Sequence, residues 1–185
     1  MTTRERMVKE TFAAAIERLL QTSDLSDVTI TDIVKEAGLS KATFYRHFND
    51  KYELAIWRYS FMHSNLPTEW TSRERSKESI FNLIHFIDEN KALFKKLMKS
   101  GFQTHFDEFY LKSSYDIAKD VRERSGIMLS KKDEYDIYYH ANAILAIIHE
   151  WLKSGDPISA EDLVNIIDEN RSEDIVSIYV NRGDA

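Results

Sequence analysis

The chain has 185 residues, of which 43% are apolar and 30% charged, and a formal net charge of −6; this is the make-up of a folded globular protein rather than a disordered one. It contains no cysteine, which excludes disulfides, thiolate catalysis and cysteine-ligated zinc. Five glycines and two prolines are few for this length and favour helices with short connections over strands joined by tight turns.

Val8, Phe12, Ala15, Ile16 and Leu19 follow the spacing of one stripe on an amphipathic helix. Thr22-Ser-Asp ends it. A short helix starts at Thr29, with Ile30, Ile33, Val34 and Ala37 as its apolar face and Gly38 at its end. Ser40 opens a third helix running to about His47. Asp50, with Glu53 three residues on, opens a fourth through Leu54, Trp57 and Phe61 towards Pro67. Beyond Thr71-Ser72 come stripes containing Ile80, Leu83, Ile84 and Ile87, then Leu93, Phe94, Leu97 and Met98. A long helix follows from Phe102 to Gly126. After Ser130-Lys-Lys-Asp133, a helix from about Glu134 stops at Gly155, and Ser159 caps another containing Leu163, Ile166 and Ile167. Ile175, Ile178 and Tyr179 extend that helix or add a turn. No stretch alternates with period two, so no strand is assigned and about nine helices are expected.

The informative segment is residues 28–51. Thr29 is an N-cap with Asp32 three residues later, and Val28 and Ile33 take the positions of a hydrophobic staple. The arrangement recurs at Ser40, with Leu39 and Phe44 as the staple. Two capped short helices separated by one glycine turn have the form of a helix-turn-helix. In the second helix Phe44 and Phe48 point one way, into a core. Lys41, Ala42, Thr43, Tyr45 and Arg46 are left on faces open to a groove. Charge permits this reading, since residues 1–60 hold nine basic and nine acidic side chains and the acidic excess lies entirely in the remainder.

Over residues 10–55 the chain resembles the TetR family of bacterial transcription regulators. The residues that carry the likeness are Val28-Thr-Ile-Thr-Asp-Ile-Val, the turn Ala37-Gly-Leu-Ser, the recognition helix Thr43-Phe-Tyr-Arg-His-Phe, and Lys51 opening the next helix. The resemblance implies that Thr29, Thr31 and Ser40, or the helix starts they cap, meet phosphates. It implies that Lys41, Ala42 and Thr43 face bases, with Arg46 at a base or phosphate, and that Tyr45, His47 and Lys51 touch the DNA backbone.

Two further features follow. Aromatic residues cluster between 81 and 115 with His85, Gln103 and His105 among them; such a set describes a small-molecule pocket and an ordinary core equally well. The resemblance implies an effector among these middle helices, and the candidate lining is Trp57, Phe61, Ile84, Phe86, Phe102, His105, Phe106, Phe109 and Tyr110. The segment Tyr138 to Leu152 is apolar on nearly every side. With the helix from Ser159 it can form a four-helix bundle with a second subunit, as the resemblance also implies, through Ile144, Ile148, Trp151, Leu152, Leu163 and Ile167. No His-Glu-x-x-His, glycine-rich phosphate loop or Gly-x-Ser-x-Gly is present, so no catalytic residue, metal site or cofactor is assigned.

The expectation is thus an all-α chain with a three-helix DNA-binding domain over residues 1–50 and a ligand-binding and dimerisation domain over residues 51–185. It would bind a palindromic double-stranded operator as a homodimer, as a repressor released by a small molecule. The alternatives are an activator, or a helical interaction module without an effector. The longest apolar run, Ala143 to Ile148, falls far short of the ~20 residues that cross a bilayer, and Met-Thr-Thr-Arg-Glu-Arg lacks the core of a signal peptide. A cytoplasmic location is expected.

Overall fold

The computed structural model describes residues 2–63, 73–155 and 158–180, apart from the side chains of residues 59–63 and 73–75. Among the described residues there are ten helices and no strand: α1 (Thr3–Leu20), α2 (Ile30–Ala37), α3 (Lys41–His47), α4 (Lys51–His63), α5 (Arg73–Glu89), α6 (Lys91–Met98), α7 (Phe102–Arg124), α8 (Lys131–Lys153), α9 (Ala160–Glu169) and α10 (Glu173–Tyr179).

Most of the helix starts follow from capping chemistry. Thr2, Thr29, Ser130 and Ser159 each accept the backbone N–H three residues on, and the acid at that position bonds back to the cap. Each such cap contributes ~1 kcal/mol. Here the structure revises one boundary. The segment Ser130-Lys-Lys-Asp133 is not a break before α8 but its first turn, because the Asp133 N–H donates to Ser130 Oγ at 3.1 Å and Ser130 N–H donates to Asp133 Oδ2 at 2.8 Å. The last apolar group is a separate helix, α10, capped by Ser172.

The chain divides into two compact units, Met1–Met62 with Lys96–Phe106, and His63–Lys95 with Asp107–Ala185. The first of these units holds α1 to α3, α4 as far as Met62, and a segment from mid-chain whose destination no local pattern marks.

The first unit is built on aromatic rings. Phe12, Phe44 and Phe48 are buried, and Phe12 meets Phe44 and Phe48 edge-on with centroids 5.3 and 6.3 Å apart. Trp57 of α4 joins Phe48 at 5.9 Å, and the Lys9 ammonium lies over both of these rings. Edge-to-face pairs are worth ~0.5–1.5 kcal/mol each beyond their burial. Ion pairs tie the helices together at the surface: Arg18 of α1 to Glu36 of α2, and Arg58 of α4 to Glu17 of α1.

In the second unit α5 packs along α9, and α10 packs against α8 and α5. Ile80, Ile84 and Ile87 of α5, Ile137, Ile144 and Ile148 of α8, and Leu163 and Ile167 of α9 fill its interior. The buried Arg171 guanidinium donates to Ser76 Oγ at 2.6 Å and to the Asp168 carboxylate, joining α5 to the end of α9. Lys91 lies 3.6 Å above the Trp151 ring.

This packing corrects the residues expected at a subunit interface. Ile144, Ile148, Trp151, Leu152, Leu163 and Ile167 are all buried within the chain itself. A helix apolar on nearly every side does bury one face at home: Ile144, Ile148, Trp151 and Leu152 belong to that face of α8, and Leu163 and Ile167 to the buried face of α9. The outward side of α8 is Tyr135, Tyr139, Ala143 and Ala146, and that of α9 includes Ile166.

Candidate nucleic-acid interface

The site begins at the turn before α2. Thr29 Oγ1 accepts the Asp32 N–H at 3.2 Å and donates its own proton to Asp32 Oδ2 at 2.6 Å. The side-chain and backbone bonds from Thr29 hold the Asp32 carboxyl below its usual range. The Thr29 hydroxyl is thus occupied by the cap, and Thr31 beside it is exposed. Val28 and Ile33 are both buried, closing the staple.

At the other end of α2, Gly38 has φ 66 and ψ 27. Its N–H returns to Lys35 O, and that of Leu39 returns to Val34 O at 3.0 Å. Only a residue at ease in the left-handed region lets the chain reverse here so tightly. Ser40 then caps α3, accepting the Thr43 N–H at 3.1 Å, and its hydroxyl lies 2.9 Å from that of Thr43.

Helix α3 is divided by face. Phe44 has no exposed surface and Phe48 of the C-cap is buried. Lys41, Ala42 and Arg46 are exposed, Tyr45 is 56% exposed, and Thr43 and His47 are half-buried. The Tyr45 ring stands edge-on to Phe44 at 5.6 Å, which holds an exposed phenol in place from below. The outward face therefore carries two cations, two hydroxyls and one methyl-sized side chain, over a rigid aromatic floor. That is the chemistry of close approach to phosphates and base edges.

Lys51 sits differently. Its ammonium donates to Ser26 O at 2.9 Å and to Val28 O at 2.8 Å, and burial holds its pKa below the ordinary lysine value. From α6, Lys96 donates to Leu20 O at 3.0 Å and pairs with Asp24. Sequence reasoning had no means of finding Lys96 here, since it lies 76 residues from Leu20 and carries no local signal.

The residues expected to line a ligand pocket are divided between the two units. Trp57, Phe102, His105 and Phe106 belong to the first, and Ile84, Phe86, Phe109 and Tyr110 to the second; the side chain of Phe61 lies outside the described residues. Ile84 and Phe102 are wholly buried, Phe109 is partly exposed, and burial pushes the Tyr110 hydroxyl up to about 12. His105 stacks on Tyr52 at 4.5 Å. An open depression of ≈ 640 Å³ lies elsewhere, on α8, lined by Tyr135, Asp136, Tyr138, Tyr139, Asn142 and Ala143. Among the described residues no group of acids and histidines has metal-binding geometry.

Residues 13–56 match the family model described as bacterial regulatory proteins, tetR family, and residues 74–171 match the TetR model described as transcriptional regulator C-terminal region. The chain belongs to the TetR family. It is a DNA-binding transcription regulator and not an enzyme. Among curated relatives it is similar to the HTH-type dhaKLM operon transcriptional activator DhaS of Lactococcus lactis subsp. lactis (strain IL1403), 22% identical over 87% of this chain and 89% of that protein. It is also similar to the uncharacterized HTH-type transcriptional regulator YxbF of Bacillus subtilis (strain 168), 25% identical over 85% of this chain and 42% of that protein. The solved structure of dihydroxyacetone kinase operon activator DhaS shares the fold, with a TM-score of 0.55, 22% identity and coverage of 86% of this chain and 91% of that one. No helix of this TetR-family chain, among the described residues, is long and apolar enough to cross a membrane.

Proposed function

We propose that this regulator binds a palindromic operator as a cytoplasmic homodimer, with residues 1–50 reading DNA and residues 51–185 sensing and pairing. The observation that carries the reading is the outward face of α3: Lys41, Ala42, Tyr45 and Arg46 are exposed while Phe44 and Phe48 are buried beneath them. Ala42, Thr43 and Arg46 face base edges and Tyr45 and His47 serve the phosphates; Lys41, an exposed cation at the first position of α3, is placed at a phosphate rather than at the base the resemblance implies. Two such helices one turn apart, ~34 Å, match a two-fold symmetric site. The outward side of α8, with Ile166 of α9, supplies the self-complementary surface in place of the six residues now in the core.

Regulation is proposed as repression released by a small molecule held among the middle helices, with a coupling of ~1–3 kcal/mol between effector and operator. A second reading, activation, is favoured by the likeness to DhaS, an operon activator. The two differ in sign and share the same DNA contacts.

The test is selection of duplexes from a random library by the full chain, followed by footprinting. An enriched inverted repeat, lost on Arg46→Ala together with Thr43→Ala, supports the reading. Uniform binding to all sequences, or none, sinks it. A reporter fused downstream of the selected site then distinguishes repression from activation.

A further inference from the structure

We infer that Lys51 is a positioning residue that clamps the loop ahead of the reader, and is not a ligand of the DNA phosphates. The inference rests on the DNA-binding reading above and reverses the role that the family resemblance gives this one side chain.

Two of the three ammonium protons of Lys51 are engaged, at 2.9 Å with Ser26 O and 2.8 Å with Val28 O. These carbonyls lie immediately before the N-cap Thr29, in the turn that joins α1 to α2. The side chain is half-buried, and its Nζ also lies 5.5 Å from the centre of the Tyr52 ring. An ammonium that has given up water for two carbonyls and a ring face has one proton left to offer a phosphate. Moving it to the DNA would uncover both carbonyls.

The clamp has a purpose in the loop itself. Residues 21–28 form no regular element, and only the short turns from Asp24 bind them internally. Lys96 holds one end, through Leu20 O and Asp24. Lys51 holds the other, next to Val28, whose buried side chain closes the staple on Ile33. Fixing Val28 and Thr29 fixes the first turn of α2, and α3 is set against α2 through the Gly38 turn. Lys51 thus sets the angle at which the reader is presented, from a distance of one helix.

The two roles separate by salt. A phosphate ligand contributes about 0.9 to the slope of log K against log salt for each contact, whereas a positioning residue contributes none. Full-length protein and its Lys51→Met, Lys51→Gln and Lys41→Met variants are titrated with a random-sequence duplex of about 30 base pairs and with the selected operator. Amide hydrogen exchange at residues 28–33 is measured in the free proteins. We expect Lys51→Met and Lys51→Gln to weaken operator binding roughly tenfold with an unchanged slope, and to speed exchange at residues 28–33 at least about tenfold. Lys41→Met should instead lower the slope and leave exchange alone. A slope reduced by about 0.9 per half-site on removing Lys51, or exchange at residues 28–33 unaltered, overturns the inference. If the unmodified chain binds no duplex, the DNA reading fails, while the exchange measurement still decides the clamp.

Discussion

The ring of Phe12 in α1 meets that of Phe44 in α3 edge to face, with centroids 5.3 Å apart and planes at 80°. Both side chains have no exposed surface. This contact links the first helix directly to the reader, so the orientation of α3 depends on the core rather than on its own seven residues. A helix this short has little stability in isolation. Phe44→Ala should cost ~3–5 kcal/mol in urea unfolding and abolish binding to every duplex, whereas Phe44→Leu, which keeps most of the volume, should cost ~1 kcal/mol and retain the sequence preference. An unchanged midpoint for Phe44→Ala would show that the aromatic cluster does not hold the reader.

Gly38 offers a cleaner perturbation. A Cβ at this position meets nothing within 4 Å, so the penalty for Gly38→Ala comes from the backbone at φ +66 alone. That strain is ~1–2 kcal/mol, or a fall of roughly 2–8 °C in Tm for a chain of this size. Calorimetry checks the figure. Binding below the transition should retain its base preference, since no outward side chain has changed.

The outward side chains should show the opposite behaviour. Thr43→Ala and Arg46→Ala remove no core contact, and each should change stability by less than ~0.5 kcal/mol. Each should relax preference by ~1–3 kcal/mol at the base pair it reads. Competition between the selected operator and single-base variants measures this. Equal losses on every sequence would move these residues to the phosphates.

The three-helix start and the faces of α3 were legible in the sequence because the signals there are local. Thr29 with Asp32, Ser40 with Phe44, and the lone Gly38 each act within five residues. The burial of Ile148 and Trp151 was visible as well, but not the partner they are buried against. An apolar side chain packs as well inside its own chain as against a neighbour, and residue type does not distinguish the two. Lys51 and Lys96 were opaque for a related reason. Their partners are backbone carbonyls more than twenty residues away, and carbonyls leave no trace in a sequence.

The revised outer face of α8 leads to a paired test of self-association. Ile148 has no exposed surface while Ala146 is exposed. Ile148→Asp places an unpaired charge in the core and should cost at least ~3 kcal/mol whatever the subunit state. Ala146→Arg should leave the unfolding of the subunit nearly unchanged and convert the sedimenting species from dimer to monomer. If Ala146→Arg sediments as the unmodified chain does, α8 is not the pairing surface.

His140 on α8 gives the chain a defined sensitivity to acid. Burial, and next the nearby charge of Arg171, pull its imidazole from the ordinary 6.5 down to about 4. Between those values the unfolded chain binds the proton and the folded chain does not. The stability contributed by neutral His140 is therefore complete above about pH 6.5 and is lost as pH falls towards 4. Because the ring is only half-buried, the loss is ~1–2 kcal/mol rather than the full equivalent of the shift. The capping carboxylates Asp32 and Asp133, held below their ordinary 3.8 by hydrogen bonds from Thr29 and Ser130, lose their contribution only at lower pH. The difference between the unmodified chain and His140→Gln isolates the histidine. Urea midpoints measured from pH 7.5 to 4.5 should converge as pH falls if His140 is the group that titrates, and curves that stay parallel would remove it from the account.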